Sequence, residues 1–229
     1  MKIALHDRLI VALGTAMACL AVSAAAETDA RISIISSYVH RGLEHSQSSP
    51  AYQASLEYQT AGWFAGVWAS TVDYGYDNRS SEVDYYLGYG RRMARNLALE
   101  ATLIHYTYQG STTRDQDWSE LQLSAYVADR WTFTWGVADN WWGTDERSRF
   151  LEATYRYPLP ARFMLDATAG YQLTGRAAGI DYGYAETGIS RRVGDFALRA
   201  GYVAVESKAR ERFSGFAENQ WVASLTWEP

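Results

Sequence analysis

Hydrophobic and polar residues alternate along most of the chain after its first 26 positions, and no helical period of 3.6 residues is visible there. The segment from Glu82 to Tyr89 is the clearest case, because its odd positions are apolar or aromatic and its even positions are acidic, glycine or tyrosine. Alternation with a period of two predicts strands with one apolar and one polar face. The sequence therefore predicts an all-β domain over residues 27–229.

About twelve such segments can be counted, and the links between them are short and long in turn. A meander with short turns at one end, long loops at the other and an even number of strands is typical of bacterial outer-membrane barrels. We therefore predict a closed antiparallel up-and-down transmembrane β-barrel of about twelve strands. The predicted strands begin near Arg31, Ala51, Trp63, Glu82, Leu97, Trp118, Trp131, Arg149, Phe163, Tyr182, Phe196 and Asn219.

A soluble periplasmic β-barrel or sandwich has the same alternation turned inside out, with its apolar face in the core and its polar face in water. Frequent small alanines at the apolar positions favour the membrane version, as do aromatic residues near the strand ends. At the membrane interfaces such aromatics form girdles. The expected girdles contain Trp63, Trp131, Tyr155, Tyr157 and Trp227 at the short-turn end, and Tyr74, Tyr106, Tyr108, Trp141 and Trp142 at the long-loop end.

The first 26 residues have the pattern of a secretory signal. Lys2 and Arg8 provide positive charge, an apolar stretch runs over residues 9–18, and three alanines at positions 24–26 provide a small-residue cleavage site. We predict a cleaved signal peptide over residues 1–26, which exports the barrel domain through the inner membrane. The single cysteine, Cys19, lies in this segment, so the exported domain is expected to lack disulfides, thiolate metal sites and thiol catalysis.

Charge and motif content narrow the possible functions. The net charge of −5 gives no general attraction to nucleic acid, so no nucleic-acid partner is expected. Beyond the signal the histidines are His40, His45 and His105, and a serine next to His45 in a loop is a weak indication of catalysis. We place His40 at a strand end near the lipid headgroups. No nucleophile elbow, zinc-protease, P-loop or calcium-loop motif occurs, so the sequence predicts no enzyme, no cofactor and no metal site.

Several segments carry a resemblance to a known family. They are residues 37–42, 50–53, 62–73 and 82–89, with looser likeness at 106–108 and 151–157. On these segments the chain resembles the TorF-type porin family of proteobacteria. The resemblance implies an outer-membrane barrel with a pore, and it supplies no substrate. The chain departs from the family pattern at Ser36 and Ser37, where an acid usually precedes the tyrosine.

The C-terminus bears on membrane insertion. The chain ends on Glu228 and Pro229 instead of the terminal aromatic residue that the barrel-assembly machinery commonly reads. Trp221, Leu225 and Trp227 still alternate as the final strand of a barrel should. We therefore expect the barrel-assembly machinery and the lipid bilayer to be partners of the chain.

The positions opposite the apolar face should line a lumen if the apolar face meets lipid. This set has seven acids and two bases, and such an excess would concentrate cations and repel anions in a narrow bore. Five further arginines (41, 91, 92, 191 and 192) sit near strand ends. The predicted lumen-lining residues are Glu57, Asp84, Glu100, Glu120, Glu152, Asp166, Glu186, Arg156 and Arg199.

From this pattern we predict a porin-like outer-membrane channel for the passive passage of small cationic or neutral solutes. One alternative is a plugged, non-conducting structural or receptor-like barrel, in which the acids pair with the arginines at the strand ends. Another is a soluble periplasmic β-barrel that binds a small ligand. A twelve-stranded barrel is intermediate between filled eight-stranded barrels and open sixteen-stranded porins, so its size is compatible with either an open or a blocked bore.

Overall fold

The structure, a computed structural model, describes residues 26–75, 78–110 and 116–229. The predicted signal peptide lies outside the described residues except for Ala26. Within the described part no helix is long and apolar enough to cross a membrane; the two α-helices are α1 (Gly175–Ala178) and α2 (Ser207–Arg212). The strands are β1 (Glu27–Ile35), β2 (Val39–His40), β3 (Leu43–Glu44), β4 (Ala51–Thr60), β5 (Trp63–Thr71), β6 (Ser81–Ala94), β7 (Leu97–Gln109), β8 (Trp118–Val127), β9 (Trp131–Ala138), β10 (Ser148–Leu159), β11 (Phe163–Leu173), β12 (Tyr182–Val193), β13 (Phe196–Val205) and β14 (Gln220–Trp227).

Twelve of these strands form one closed antiparallel barrel, as the sequence predicts. Strands β4 to β14 pair with their neighbours in chain order, and β1 closes the ring by pairing with both β4 and β14. Most predicted strand starts are correct to within one residue, whereas β1 begins earlier, at Glu27, because it pairs with β4 along its whole length. The remaining two strands, β2 and β3, form a short hairpin that the sequence analysis did not predict.

The outer surface of the barrel is apolar on every strand. Leu56 is 51% exposed and Leu123 45%, whereas Glu100 is 7% and Asp166 4% exposed. Each of the twelve barrel strands carries at least one exposed large hydrophobic side chain. A water-soluble monomer rarely exposes a continuous apolar surface of this extent, whereas lipid requires it. The predicted orientation, with apolar residues outside and charged residues inside, is therefore confirmed, and the inverted soluble arrangement is absent from the described residues.

The aromatic girdle is as predicted at only one end of the barrel. Four of the residues predicted at the short-turn end, Trp63, Trp131, Tyr157 and Trp227, are exposed on the outer surface. The prediction for the long-loop end was wrong: Tyr74, Tyr106, Tyr108 and Trp141 are buried, and Trp142 packs against Tyr74 and His45. Tyr106 and Tyr108 occupy inner-face positions of β7, whereas Tyr74, Trp141 and Trp142 lie in the long loops. The exposed aromatics near this end are Tyr52, Tyr171 and Trp221.

Two neighbouring positions of β4 test the orientation of its faces. Leu56 faces outward, so Leu56→Arg should destabilise the barrel by about 2–4 kcal/mol in a lipid bilayer, because it brings a charge into hydrocarbon. Ser55 is half-buried on the inner face, and Ser55→Arg is the matched control. We expect a much smaller loss there, measured by urea titration of folding into lipid vesicles. Equal losses for the two variants would contradict the assignment of faces.

Candidate functional site in the barrel interior

All nine predicted lumen residues occupy inner-face positions that alternate with the exposed apolar ones. Asp84 and Glu120 lie toward the long-loop end of their strands. Glu57, Glu100 and Arg199 lie toward the short-turn end. The interior thus contains charged side chains along much of its length, which is unusual for a protein core and requires specific partners.

The connection between β1 and β4 folds into the barrel, and we call residues 37–46 the inward hairpin. Its base is fixed by a hydrogen bond from the His45 N–H to the Tyr38 carbonyl (2.7 Å). Its tip consists of Arg41 (φ 50°) and Gly42 (φ 80°), the left-handed pair that a tight two-residue turn requires. A Cβ on Gly42 would lie 3.0 Å from the Cβ of Tyr184, a tight contact, and the positive φ also favours glycine there. The tip lies in the interior, and Arg41 reaches Glu120 of β8 on the other side of the barrel.

The tip is held by an ion pair. Arg41 donates from Nη1 and Nη2 to the two carboxylate oxygens of Glu120, both at 2.7 Å, and its guanidinium lies 3.3 Å from the centre of the Phe150 ring. Glu120 also accepts a hydrogen bond from Gln122 (2.8 Å) and is almost completely buried. Bidentate arginine–carboxylate pairs are among the strongest charge-assisted contacts in proteins. Arg41, predicted near a strand end, thus neutralises one of the predicted lumen acids from inside the barrel.

A second ion cluster lies closer to the short turns. Arg199 donates to Asp166 from Nε (3.2 Å) and Nη2 (2.6 Å), and the same Nη2 lies 2.6 Å from an oxygen of Glu186. The guanidinium passes over Gly188 on the intervening strand β12, where a Cβ would lie 2.5 Å from Nη2. One arginine therefore joins carboxylates from two strands. The cluster borders a cavity of about 30 Å³ that also touches Ser33 and Gln53.

The other predicted acids have no cationic partner within 4 Å among the described residues. Glu100 accepts hydrogen bonds from Tyr126 (3.3 Å) and Thr102 (3.3 Å), and Glu152 accepts one from Tyr184 (2.8 Å). Neither carboxylate oxygen of the buried Asp84 has a hydrogen-bond partner among the residues that the structure describes. Carboxyl groups therefore outnumber their cationic partners among the described interior residues.

Glu82 is an interior acid that sequence reasoning missed. It is completely buried, accepts a hydrogen bond from Tyr108 (3.1 Å) and has an oxygen 3.6 Å from Nδ1 of His45. The signal was present in the sequence, because Glu82 is two positions from Asp84 and therefore shares its face of the strand. Three further inner charges, Arg31, Glu44 and Glu228, were also missed.

The histidines of the inward hairpin are not where the sequence analysis placed them. His40 was predicted near the headgroups, but it lies inside the barrel with its ring 5.9 Å from that of His45 and 6.3 Å from that of Tyr106. Its enclosed position lowers its pKa well below the ordinary value, and Arg41 and His45 lower it further, so His40 is neutral at neutral pH.

His45 is bound to groups other than the nearby serines. Its Nδ1 is hydrogen-bonded to the Tyr74 hydroxyl (2.7 Å), and the Ser46 hydroxyl donates to the Ser49 carbonyl (2.8 Å). In this arrangement the adjacent His45 and Ser46 are structural parts of the hairpin. In the described ranges no group of three or more His, Cys, Asp or Glu side chains could hold a metal ion.

A family model described as "Bacterial protein of unknown function (Gcw_chp)" matches residues 21–227 of the chain. No curated protein matches the chain significantly. Among solved structures it is similar to the KdgM porin (TM-score 0.55, 8% identity, covering 88% of this chain and 98% of that one). It is also similar to the COG4313 outer membrane channel from Pseudomonas putida F1 (TM-score 0.48, 12% identity, covering 88% and 94%). At such low identity the first likeness supports the barrel fold alone.

The contact between Arg41 and Glu120 can be tested for its contribution to stability. Arg41→Gln should lower the free energy of unfolding by about 3–5 kcal/mol, because it leaves Glu120 buried without its cation. Adding Glu120→Gln should recover most of that loss. Urea titration in detergent measures both effects.

The ion pair between Arg147 and Asp139 provides the control. Its side chains are 57% and 82% exposed, and Arg147→Gln should cost less than about 1 kcal/mol. If Arg41→Gln is no more destabilising than Arg147→Gln, the inward hairpin is not held as described.

Proposed function

The chain belongs to the Gcw_chp family, whose description assigns no function, and we propose that it is a porin-like outer-membrane channel. The proposed cargo is small cationic or neutral solutes, which cross passively. The observation that carries the proposal is the closed barrel with an apolar outer surface and an interior rich in carboxylates. Both features are those of a polypeptide that encloses a polar path through lipid.

The proposed location follows from the asymmetry of the barrel ends. Short turns and both described ends of the barrel, at Glu27 and Trp227, lie at one end, which in outer-membrane barrels faces the periplasm. We propose export by the signal peptide over residues 1–26 and insertion by the barrel-assembly machinery. The TorF-type resemblance at residues 37–42 and 62–73 supports the same function.

The proposed charge preference rests on the acids that have no cationic partner. Glu57, Glu100 and Glu152 occupy three strands of the inner face, and each carboxylate lowers the potential of a narrow bore. Four predicted acids have no cationic partner among the described residues, whereas Arg156 is the one predicted lumen base without an ion pair there. Unpaired acids thus exceed unpaired bases. Such a bore would concentrate cations and repel anions.

A second function, a non-conducting barrel, is favoured by the inward hairpin. Tyr38, Val39 and Leu43 are buried, so this segment fills much of the interior at the long-loop end. A barrel closed in this way would act through its long loops, as a receptor or as a structural element of the membrane. Single-channel recording separates the two functions, since only a conducting barrel produces current steps.

We expect the purified protein to give cation-selective current steps in a planar bilayer. The triple variant Glu57→Gln, Glu100→Gln, Glu152→Gln should shift the reversal potential in a salt gradient toward that of an unselective pore, because it removes three inner charges. The control removes three charges from exposed loops, with Asp139→Asn, Asp145→Asn and Glu218→Gln. We expect the control to behave as the wild type.

Two results would contradict the proposal at different levels. A silent bilayer despite confirmed insertion would remove the channel function and favour the non-conducting barrel. Current steps with an unchanged reversal potential in the inner triple variant would keep the channel and remove its cation preference.

The inward hairpin gives a further expectation. Arg41→Gln should raise the single-channel conductance, because it releases the hairpin tip from Glu120 and lets it move away from the bore. Arg147→Gln, in the exposed pair with Asp139, should leave the conductance unchanged. An identical conductance in all three proteins would show that the hairpin does not limit the passage.

A further inference from the structure

A groove of about 900 Å³ crosses the outer surface of the barrel over strands β6 to β11. Four outward-facing alanines, one on each of β7, β8, β10 and β11, form its floor, because their side chains project little from the barrel wall. Larger apolar side chains stand beside them and form its sides. The floor contains Ala101, Ala125, Ala153 and Ala169, and the sides include Leu99, Leu123, Phe133, Trp135 and Leu151.

Strand register gives the order of the groove residues across the sheet. Ala125 of β8 is paired with Leu99 of β7 and with Phe133 of β9, and Ala153 of β10 is paired with Phe133 and with Ala169 of β11. These residues thus form one row across five strands, in which Phe133 stands between Ala125 and the neighbouring pair of Ala153 and Ala169. A second row, parallel to the first, runs from Ala101 through Leu123, Trp135 and Leu151 to Tyr171.

The rows run obliquely through the membrane because barrel strands are tilted. On β6 the groove begins at Arg91 and Met93, next to the short turn that follows Ala94. On β11 it ends at Tyr171, two residues before the strand reaches the long-loop end at Leu173. The groove therefore leads from the short-turn interface toward the opposite half of the bilayer.

Arg91 is the one charged side chain of the groove that faces outward. It is exposed and is paired across the sheet with Leu99 of the groove wall. Two acids, Glu100 and Glu152, also border the groove, but their carboxylates are on the inner face, hydrogen-bonded to Tyr126 and Tyr184. The groove thus combines an apolar path with one cation at its short-turn end, the arrangement that complements an anionic lipid.

We propose that this groove binds one anionic phospholipid of the periplasmic leaflet, with the phosphate at Arg91 and an acyl chain along the alanine floor. The proposal rests on the proposed outer-membrane location, in which the short turns face the periplasm. An arginine guanidinium matches phosphate oxygens in geometry and charge. The alanine floor lets an acyl chain pack closely against the barrel, and a choline lipid of equal chain length would lack the net negative charge that Arg91 attracts.

Native mass spectrometry of the folded protein tests this assignment. The protein in detergent is mixed with equal amounts of phosphatidylglycerol and phosphatidylcholine of the same chain length, and the retained lipid is counted. We expect one retained phosphatidylglycerol on the wild type. Arg91→Gln should lower its retention by about fivefold, whereas Arg91→Lys, which keeps the charge, should retain most of it. The pair Ala125→Phe and Ala153→Phe should abolish retention by filling the floor.

Two matched controls lie outside the groove. Arg191 also faces outward near the short turns, 5.1 Å from the Phe163 ring centre, and Arg191→Gln should retain the lipid as the wild type does. Ala200 faces outward on β13, and Ala200→Phe adds a phenyl ring away from the groove. Circular dichroism and the heat-induced mobility shift on gels establish that each variant is a folded barrel.

Three outcomes would overturn the proposal. The first is equal retention of the two lipids by the wild type, and the second is unchanged retention by Arg91→Gln. The third is a dimer that disappears when the floor is filled, which would make a second copy of this chain the occupant. Lipid retention is measured without any current, so a silent bilayer contradicts the proposed channel while leaving this assignment standing.

Discussion

Closure of the ring is the constraint on which the rest of the molecule depends. A strand edge in hydrocarbon leaves its N–H and C=O groups without partners, so a spanning sheet is stable only when its first and last strands pair. Here β1 and β14 share four register pairs, from Ile32 with Trp227 to Ile35 with Ser224. Side chains reinforce this seam, since Ser33 and Thr226 are hydrogen-bonded at 2.9 Å and the Ser36 hydroxyl accepts from the Ala223 N–H.

The closed ring determines the chemistry of its two faces. The outer face is solvated by lipid and is apolar, whereas the inner face holds carboxylates that no lipid could accommodate. Two arginines, Arg41 and Arg199, pair with part of these carboxylates. Arg199 does so along the face of three adjacent strands, whereas Arg41 reaches Glu120 across space that a flat sheet would not enclose. The contact between Arg41 and Glu120 also holds the inward hairpin inside the barrel. The inward hairpin is therefore the element that fills the interior at the long-loop end.

The sequence predicts correctly those features of the fold that depend on the alternation of lipid-facing and inward-facing residues. The period of two gives the strand count, most strand starts and the side of the wall on which Leu123 or Glu100 lies, because one face meets hydrocarbon at each crossing. It also places the short-turn aromatics, which lie at the ends of outward rows. None of these properties depends on which distant residue a side chain contacts.

The same reasoning fails for the interior, where contacts join residues far apart in the chain. Arg41 meets Glu120 from 79 positions away, a distance that only the curvature of the closed barrel brings to hydrogen-bond range. The strands of the inward hairpin, β2 and β3, have only two residues each, which is too short for an alternating pattern to be recognised. Tyr106 and Tyr108 were misplaced for a related reason: aromatics near a strand end suit an interface, but their even positions put them inside.

The central claim is that the barrel turns its apolar face to lipid. Measuring lipid contact at neighbouring positions of one strand tests it most directly. The predicted exported domain, residues 27–229, contains no cysteine, so single cysteines can be introduced and labelled with an environment-sensitive fluorophore. In vesicles that contain lipids with brominated acyl chains, labels at Leu103 and Leu123 should be strongly quenched, and labels at Thr102 and Gln122 should be nearly unaffected. Quenching of the inner pair with protection of the outer pair would contradict a barrel that turns its apolar face to the membrane.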